Sequence, residues 1–136
     1  MPLAGQTNLR DKDITMGARI NFVFKDVEDE AHVVLYSHWG ETEWQRDLAM
    51  ALEHSKPRWK DYAYFTRMMI SYLIQDSVLE ETGFGIYAIT GSNFDLGETT
   101  VVIDISKETI NHVGSTVVVD WDKFIVAYLP SLVETV

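Results

Sequence analysis

Two groups of side chains in this sequence are of the types that do chemistry near neutral pH. The first is Tyr36-Ser37-His38-Trp39-Gly40, in which an imidazole lies between a phenol and an indole. Histidine titrates close to physiological pH and can act as base, acid or hydrogen-bond donor. The second runs from Arg58 to Arg67, where Arg58, Trp59, Tyr62 and Arg67 set two guanidinium groups beside two aromatic rings. That combination suits phosphates and stacked bases. If one pocket gathered Tyr36, His38, Trp39, Arg58, Trp59, Tyr62 and Arg67, it would take an anionic or aromatic small molecule such as a nucleotide. The same residues support an enzyme reading, a hydrolase or transferase with His38 as general base and Arg67 stabilising developing negative charge. They support an interface reading as well, a homodimer for instance, because Trp, Tyr and Arg are what interface hot spots favour.

Each group also has a purely structural explanation. His38 can fix its own loop by bonding a neighbouring carbonyl, and Trp39 fits a core or an interface better than a ligand platform. Arg67 falls within an otherwise apolar helix, where a buried charge must be paired; Asp61, Asp47 and Glu43 are the partners at hand. No catalytic signature rescues the sharper readings. Ser37 and His38 are adjacent strand positions and so point to opposite faces, and no Gly-x-Ser-x-Gly elbow is present. His32, His38, His54 and His112 form no His-Glu-x-x-His or calcium-loop pattern, and the chain has no cysteine, so neither a metal nor a cofactor is expected. Gly83-Phe84-Gly85-Ile86 lacks the remaining glycines of a dinucleotide fingerprint and reads as a tight strand entry.

The elements that must position these residues follow from periodicity. Ile20, Phe22 and Phe24 alternate with Arg19, Asn21 and Val23, which is strand spacing; a charged turn at 25–30 leads to an apolar strand at 31–37 and completes a hairpin. Thr42 and Gln45 fit a capping box, and Trp44, Leu48, Ala51 and Leu52 then fall at helical spacing until His54-Ser55-Lys56-Pro57 breaks the pattern. A second helix over 61–75 is apolar nearly all round and belongs at the centre of the fold or between the sheet and a partner subunit. Strands return at 84–90, 99–105, 109–113 and 116–120 as a meander, with a loop at 91–97 and a turn at 106–108. Residues 121–129 fit a short helix capped by Asp120 or Asp122, with Phe124, Ile125 and Tyr128 inward and Pro130 closing it. The expected fold is α+β, a largely antiparallel sheet of five to six strands packed against two central helices. Residues 1–15 show neither period and read as a flexible arm before a single domain at 16–136.

Composition narrows the partners. A 136-residue chain can bury roughly two thirds of the surface it exposes unfolded, and 46% hydrophobic with 12% aromatic residues supply a core. The formal charge of −10, with only eleven Lys and Arg, disfavours a broad nucleic-acid or anionic-membrane surface. The acids are scattered rather than set in the dense rows of a DNA mimic. No apolar run approaches the ~20 residues needed to cross a bilayer, and no signal-peptide layout opens the chain, so a cytoplasmic location is expected.

Met16-Gly17-Ala18-Arg19-Ile20-Asn21, Leu35-Tyr36-Ser37-His38-Trp39-Gly40, Arg58-Trp59-Lys60-Asp61-Tyr62-Ala63-Tyr64 with Arg67, and Thr82-Gly83-Phe84-Gly85-Ile86 together resemble a family of small uncharacterised prokaryotic and phage-encoded proteins. The likeness spans about residues 16–105, and its members begin at the position of Met16, in line with an N-terminal extension here. Glu41 follows Gly40 where the family often has a second glycine. The resemblance carries no activity. It implies an accessory or host-interaction role in a prokaryotic or phage-infected cell, exerted by binding an anionic or nucleotide-like small molecule or a host protein.

Overall fold

The computed structural model describes residues 19–25, 31–38 and 43–129. Its strands are β1 (Ile20–Lys25), β2 (Ala31–Ser37), β3 (Phe84–Thr90), β4 (Thr99–Asp104), β5 (Thr109–His112) and β6 (Val118–Asp120). Three helices accompany them, α1 (Trp44–His54), α2 (Tyr62–Leu73) and α3 (Trp121–Tyr128), with a 3-10 turn at Lys56–Arg58 between the first two. The strands form one sheet in the order β3-β2-β1-β4-β5-β6. The expected α+β architecture is therefore present, with α3 supplied by the tail whose sequence fitted a short helix. The arm at 1–15, Thr42 of the expected capping box and Pro130 lie outside the described residues.

Strand alternation divides the sheet into two unlike faces. Ile20, Phe22, Phe24, Leu35, Val101, Ile103 and Ile110 point to one face and pack with all three helices in the main core. There Phe65 of α2 stacks on Trp121 of α3 at 4.8 Å between ring centres and meets Phe24 edge-on at 6.5 Å. Trp121 also donates its indole N–H to the carbonyl of Thr109 at 3.0 Å, which ties the last helix to the sheet. The opposite face carries Val23, Val34 and Val102, covered not by helices but by Phe94 and Leu96.

That cover follows from topology. All neighbouring strands are antiparallel except β1 and β4, which run parallel: β4, β5 and β6 form the expected meander, and a crossover separates them from β3. The chain leaving β3 must return over β2 and β1 to begin β4, a path of about 25 Å from three strand spacings and one strand length. Residues 91–98 reach about 28 Å when extended, so they cross the face with little slack. Gly91 and Gly97 turn the chain at the two ends with φ of 83° and 84°, values open to glycine at no steric cost. Buried His32 fastens the crossing: its Nε2 lies 3.1 Å from the Gly91 carbonyl oxygen, and its ring meets Phe94 edge-on.

Two local expectations are corrected. Helix α2 is not buried all round: Phe65, Thr66 and Met69 are buried, whereas Ala63, Tyr64, Arg67 and Ser71 are exposed, because the sheet covers only one side of it. At the start of α1 the cap position is Glu43, which makes no side-chain cap bond, and Asp120 likewise precedes α3 without capping it through its carboxylate. Asp61 does cap α2, accepting from the Tyr64 N–H at 3.3 Å.

Candidate functional site

Tyr36 and His38, two residues apart at the end of β2, share one face of the sheet, the face away from the helices. Their side chains touch, with Tyr36 OH 3.3 Å from His38 Nδ1. The His38 backbone N–H donates to the Gly83 carbonyl at 2.8 Å, which extends the β2–β3 ladder by one rung and holds the imidazole against the neighbouring strand. Gly83 can form that rung with φ of 103°. Across from Tyr36 in register is Gly85. A Cβ on Gly85 would meet nothing within 4 Å among the described residues, so the missing side chain leaves open space beside the phenol. The result is a cleft of about 460 Å³ lined by Tyr36, His38, Thr82, Gly83, Phe84 and Gly85.

The electrostatics of the cleft are mild. Burial pushes the Tyr36 phenol above its usual pKa; the positive charge of Arg19 works against that shift and the negative charge of Glu98 adds to it. Arg19 and Glu98 are themselves paired at 3.5 Å. The phenol therefore stays protonated at neutral pH, with its hydroxyl within hydrogen-bond distance of His38 Nδ1. Behind the cleft, Tyr87 donates its hydroxyl to buried Asn21 Oδ1 at 2.9 Å, and burial raises the Tyr87 phenol too, with Glu98 and Tyr36 adding to the shift. This is a hydrogen-bonding surface with an aromatic wall.

The second group of sequence candidates sits elsewhere, in the helix layer. Trp59 is buried, donates its indole N–H to the Leu52 carbonyl at 3.0 Å and packs edge-on against Trp121 at 5.0 Å. Tyr62 is partly buried against the main core. Arg58 lies over the Tyr64 ring at 5.1 Å. Arg67 is exposed and donates to Ser71 Oγ at 3.3 Å, one helical turn along, so the ion pair expected with Asp61, Asp47 or Glu43 is replaced by a bond within the helix. Tyr36 and His38 are thus brought together, while Arg58, Trp59, Tyr62 and Arg67 line a different part of the molecule. Trp39 lies outside the described residues.

The sequence reading missed Thr82, Phe84 and Gly85 as walls of the cleft. The signal was the register of β2 against β3, which sets a glycine opposite a tyrosine beside a histidine. Two other cavities are less apt. One of about 350 Å³ lies between α1, α2 and Phe84, with Asp47 on its rim. Burial raises the Asp47 carboxyl, with Glu43 adding to the shift and Arg46 opposing it. The other, of about 460 Å³, lies beneath 92–95 and is lined by Lys25, Asp104 and Asn111 among others. Its polar groups serve the fold: Asp104 faces Lys25 at 3.9 Å and accepts from Ser106 Oγ and the Lys107 N–H, and Asn111 donates to the Ser115 and Val117 carbonyls.

Fold and cleft define a class: a six-stranded α+β sheet protein with its helices on one face and an aromatic, glycine-floored cleft by an edge strand on the other. No family model, curated protein or solved structure matches the chain. Among the described residues no helix is long and apolar enough to cross a membrane, and no three His, Asp or Glu side chains come together to hold a metal ion.

Proposed function

We propose that the protein acts by binding rather than turnover, taking a planar aromatic small molecule such as a nucleobase or nucleoside into the Tyr36–His38 cleft. The observation that carries this reading is the space left open over Gly85 among the described residues, beside the Tyr36–His38 contact. A ring stacked there gains apolar contact and can exchange hydrogen bonds with the phenol and imidazole. Among the described residues no lysine or arginine lines the cleft, and Arg19 is matched by Glu98, so the base of a nucleotide-like ligand is favoured over its phosphate as the recognised part. The resemblance to small prokaryotic and phage-encoded proteins supports an accessory role, the sequestering of such a molecule in the cytoplasm of a prokaryotic or phage-infected cell.

Titration calorimetry of the full chain against nucleobases, nucleosides and nucleotides tests this. Binding is expected to be weakened about tenfold or more by Gly85→Val, which fills the cleft without a backbone clash, and by His38→Ala; Arg58→Ala and Arg67→Ala should leave it unchanged. If no member of the panel binds, or Gly85→Val binds like the wild type, the cleft is not the site.

A further inference from the structure

The two edges of the sheet are built differently, and the difference points to a partner. The β6 edge is three residues long and ends on Asp120. The β3 edge is seven residues long, Phe-Gly-Ile-Tyr-Ala-Ile-Thr, with no charged residue and no proline. Natural edge strands are normally blunted by charge, proline, bulges or shortness, because their unpaired N–H and C=O groups template pairing with another chain. Here Ile86 is 60% exposed and Tyr87 41%, and Val78 and Leu79 in the connection leading to the strand are 62% and 95% exposed.

We infer that this edge pairs with the same edge of a second copy, antiparallel about a two-fold axis at Tyr87, to give a continuous twelve-stranded sheet. Two features fit a second copy. About that axis Phe84 faces Thr90, Gly85 faces Ile89 and Ile86 faces Ala88, so each isoleucine meets a glycine or an alanine, while the Tyr87 rings form a cross-strand aromatic pair. Charge fits as well. A chain of net charge −10 repels its copies, and the approach is made through a segment without acid or base. One consequence reaches the cleft: Ile89 of the partner subunit comes to stand beside Gly85, on the face of Tyr36, and walls the open side. That consequence rests on the cleft being the ligand site; the pairing does not.

Sedimentation equilibrium of the full chain without ligand tests the pairing. Twice the chain mass is expected at micromolar concentration, and Ile86→Lys, which sets a charge on the apolar edge, should weaken dimerisation about tenfold or more while Ile86→Leu does not. Hydrogen exchange guards against a variant that misfolds: wild-type amides of 84–90 should slow with rising protein concentration while those of 118–120 do not. A single chain mass at every concentration, growth beyond two copies, unchanged exchange at 84–90 over a range in which the mass doubles, or a folded Ile86→Lys that still dimerises like the wild type overturns the inference. The ligand reading can fail in calorimetry without touching any of these outcomes.

Discussion

The 36–38 and 58–67 stretches are alike in residue type, rings beside basic side chains, and the fold puts them to opposite uses. At 36–38 the strand period of two sets Tyr36 and His38 on one face, and the facing strand offers Gly85, so no side chain of the described residues fills the space between. At 58–67 the 3-10 turn and the helical period turn Trp59 and Phe65 inward onto Trp121 and leave Arg67 on the outside. Neither composition nor spacing separates the two; what faces each from the neighbouring element does. An aromatic group opposite a glycine becomes a wall, and one opposite another tryptophan becomes core.

The sharpest way to break that comparison is Trp59→Ala. If Trp59 is core, removing its ring and its bond to Leu52 should destabilise the fold by about 3–5 kcal/mol, as for other large aromatic truncations, measured by urea unfolding. A loss below about 1 kcal/mol would return Trp59 to the candidates for ligand contact. A smaller effect is expected behind the cleft. Tyr87→Phe removes the donor to buried Asn21 Oδ1 and should cost about 1–2 kcal/mol. An unchanged midpoint would mean that solvent already serves Asn21.

Much of this arrangement was legible in the residues before any coordinates. Ile20, Phe22 and Phe24 announced β1 by alternation; Trp44, Leu48 and Leu52 announced α1 by helical spacing, and both patterns persist because burial on one face selects them. The parallel pairing of β1 with β4 was not legible, since it depends on residues 91–98 crossing two strands, and no local propensity encodes a crossing. The same limit hid Gly85, whose meaning comes from its register against Tyr36, forty-nine positions earlier in the chain. For Arg67 the sequence pointed to a buried, paired charge and the fold exposes it, because an apolar helix shows which residues are greasy but not which side a sheet will cover.

Arg67 therefore offers a finer test. Exposed, and bonded only to Ser71 in the contacts described, it should change stability by less than about 0.5 kcal/mol on replacement by alanine. An Arg67→Ala loss of 3 kcal/mol or more, read from the same urea curves, is the signature of a broken buried ion pair and would restore the partnership with Asp61, Asp47 or Glu43.

The smallest expected effect is a slope with pH, and its sign distinguishes the cleft from the core. Tyr36 and Tyr87 have their pKa values raised in the folded protein, mainly by burial. In the alkaline range the folded chain then holds more protons than the unfolded one, so stability declines as pH rises through the ordinary tyrosine value of about 10 and is unaffected below it. Two partly buried phenols make this a shallow decline, and Tyr36→Phe should flatten it while leaving stability at pH 7 nearly as it was. Tyr64→Phe, a change to an exposed ring on α2, is the control for general alkaline damage. Equal flattening in both variants would mean that the Tyr36 phenol is no more sheltered than a surface one. The distinction between a cleft wall and an ordinary exposed ring would then fail at the residue where it begins.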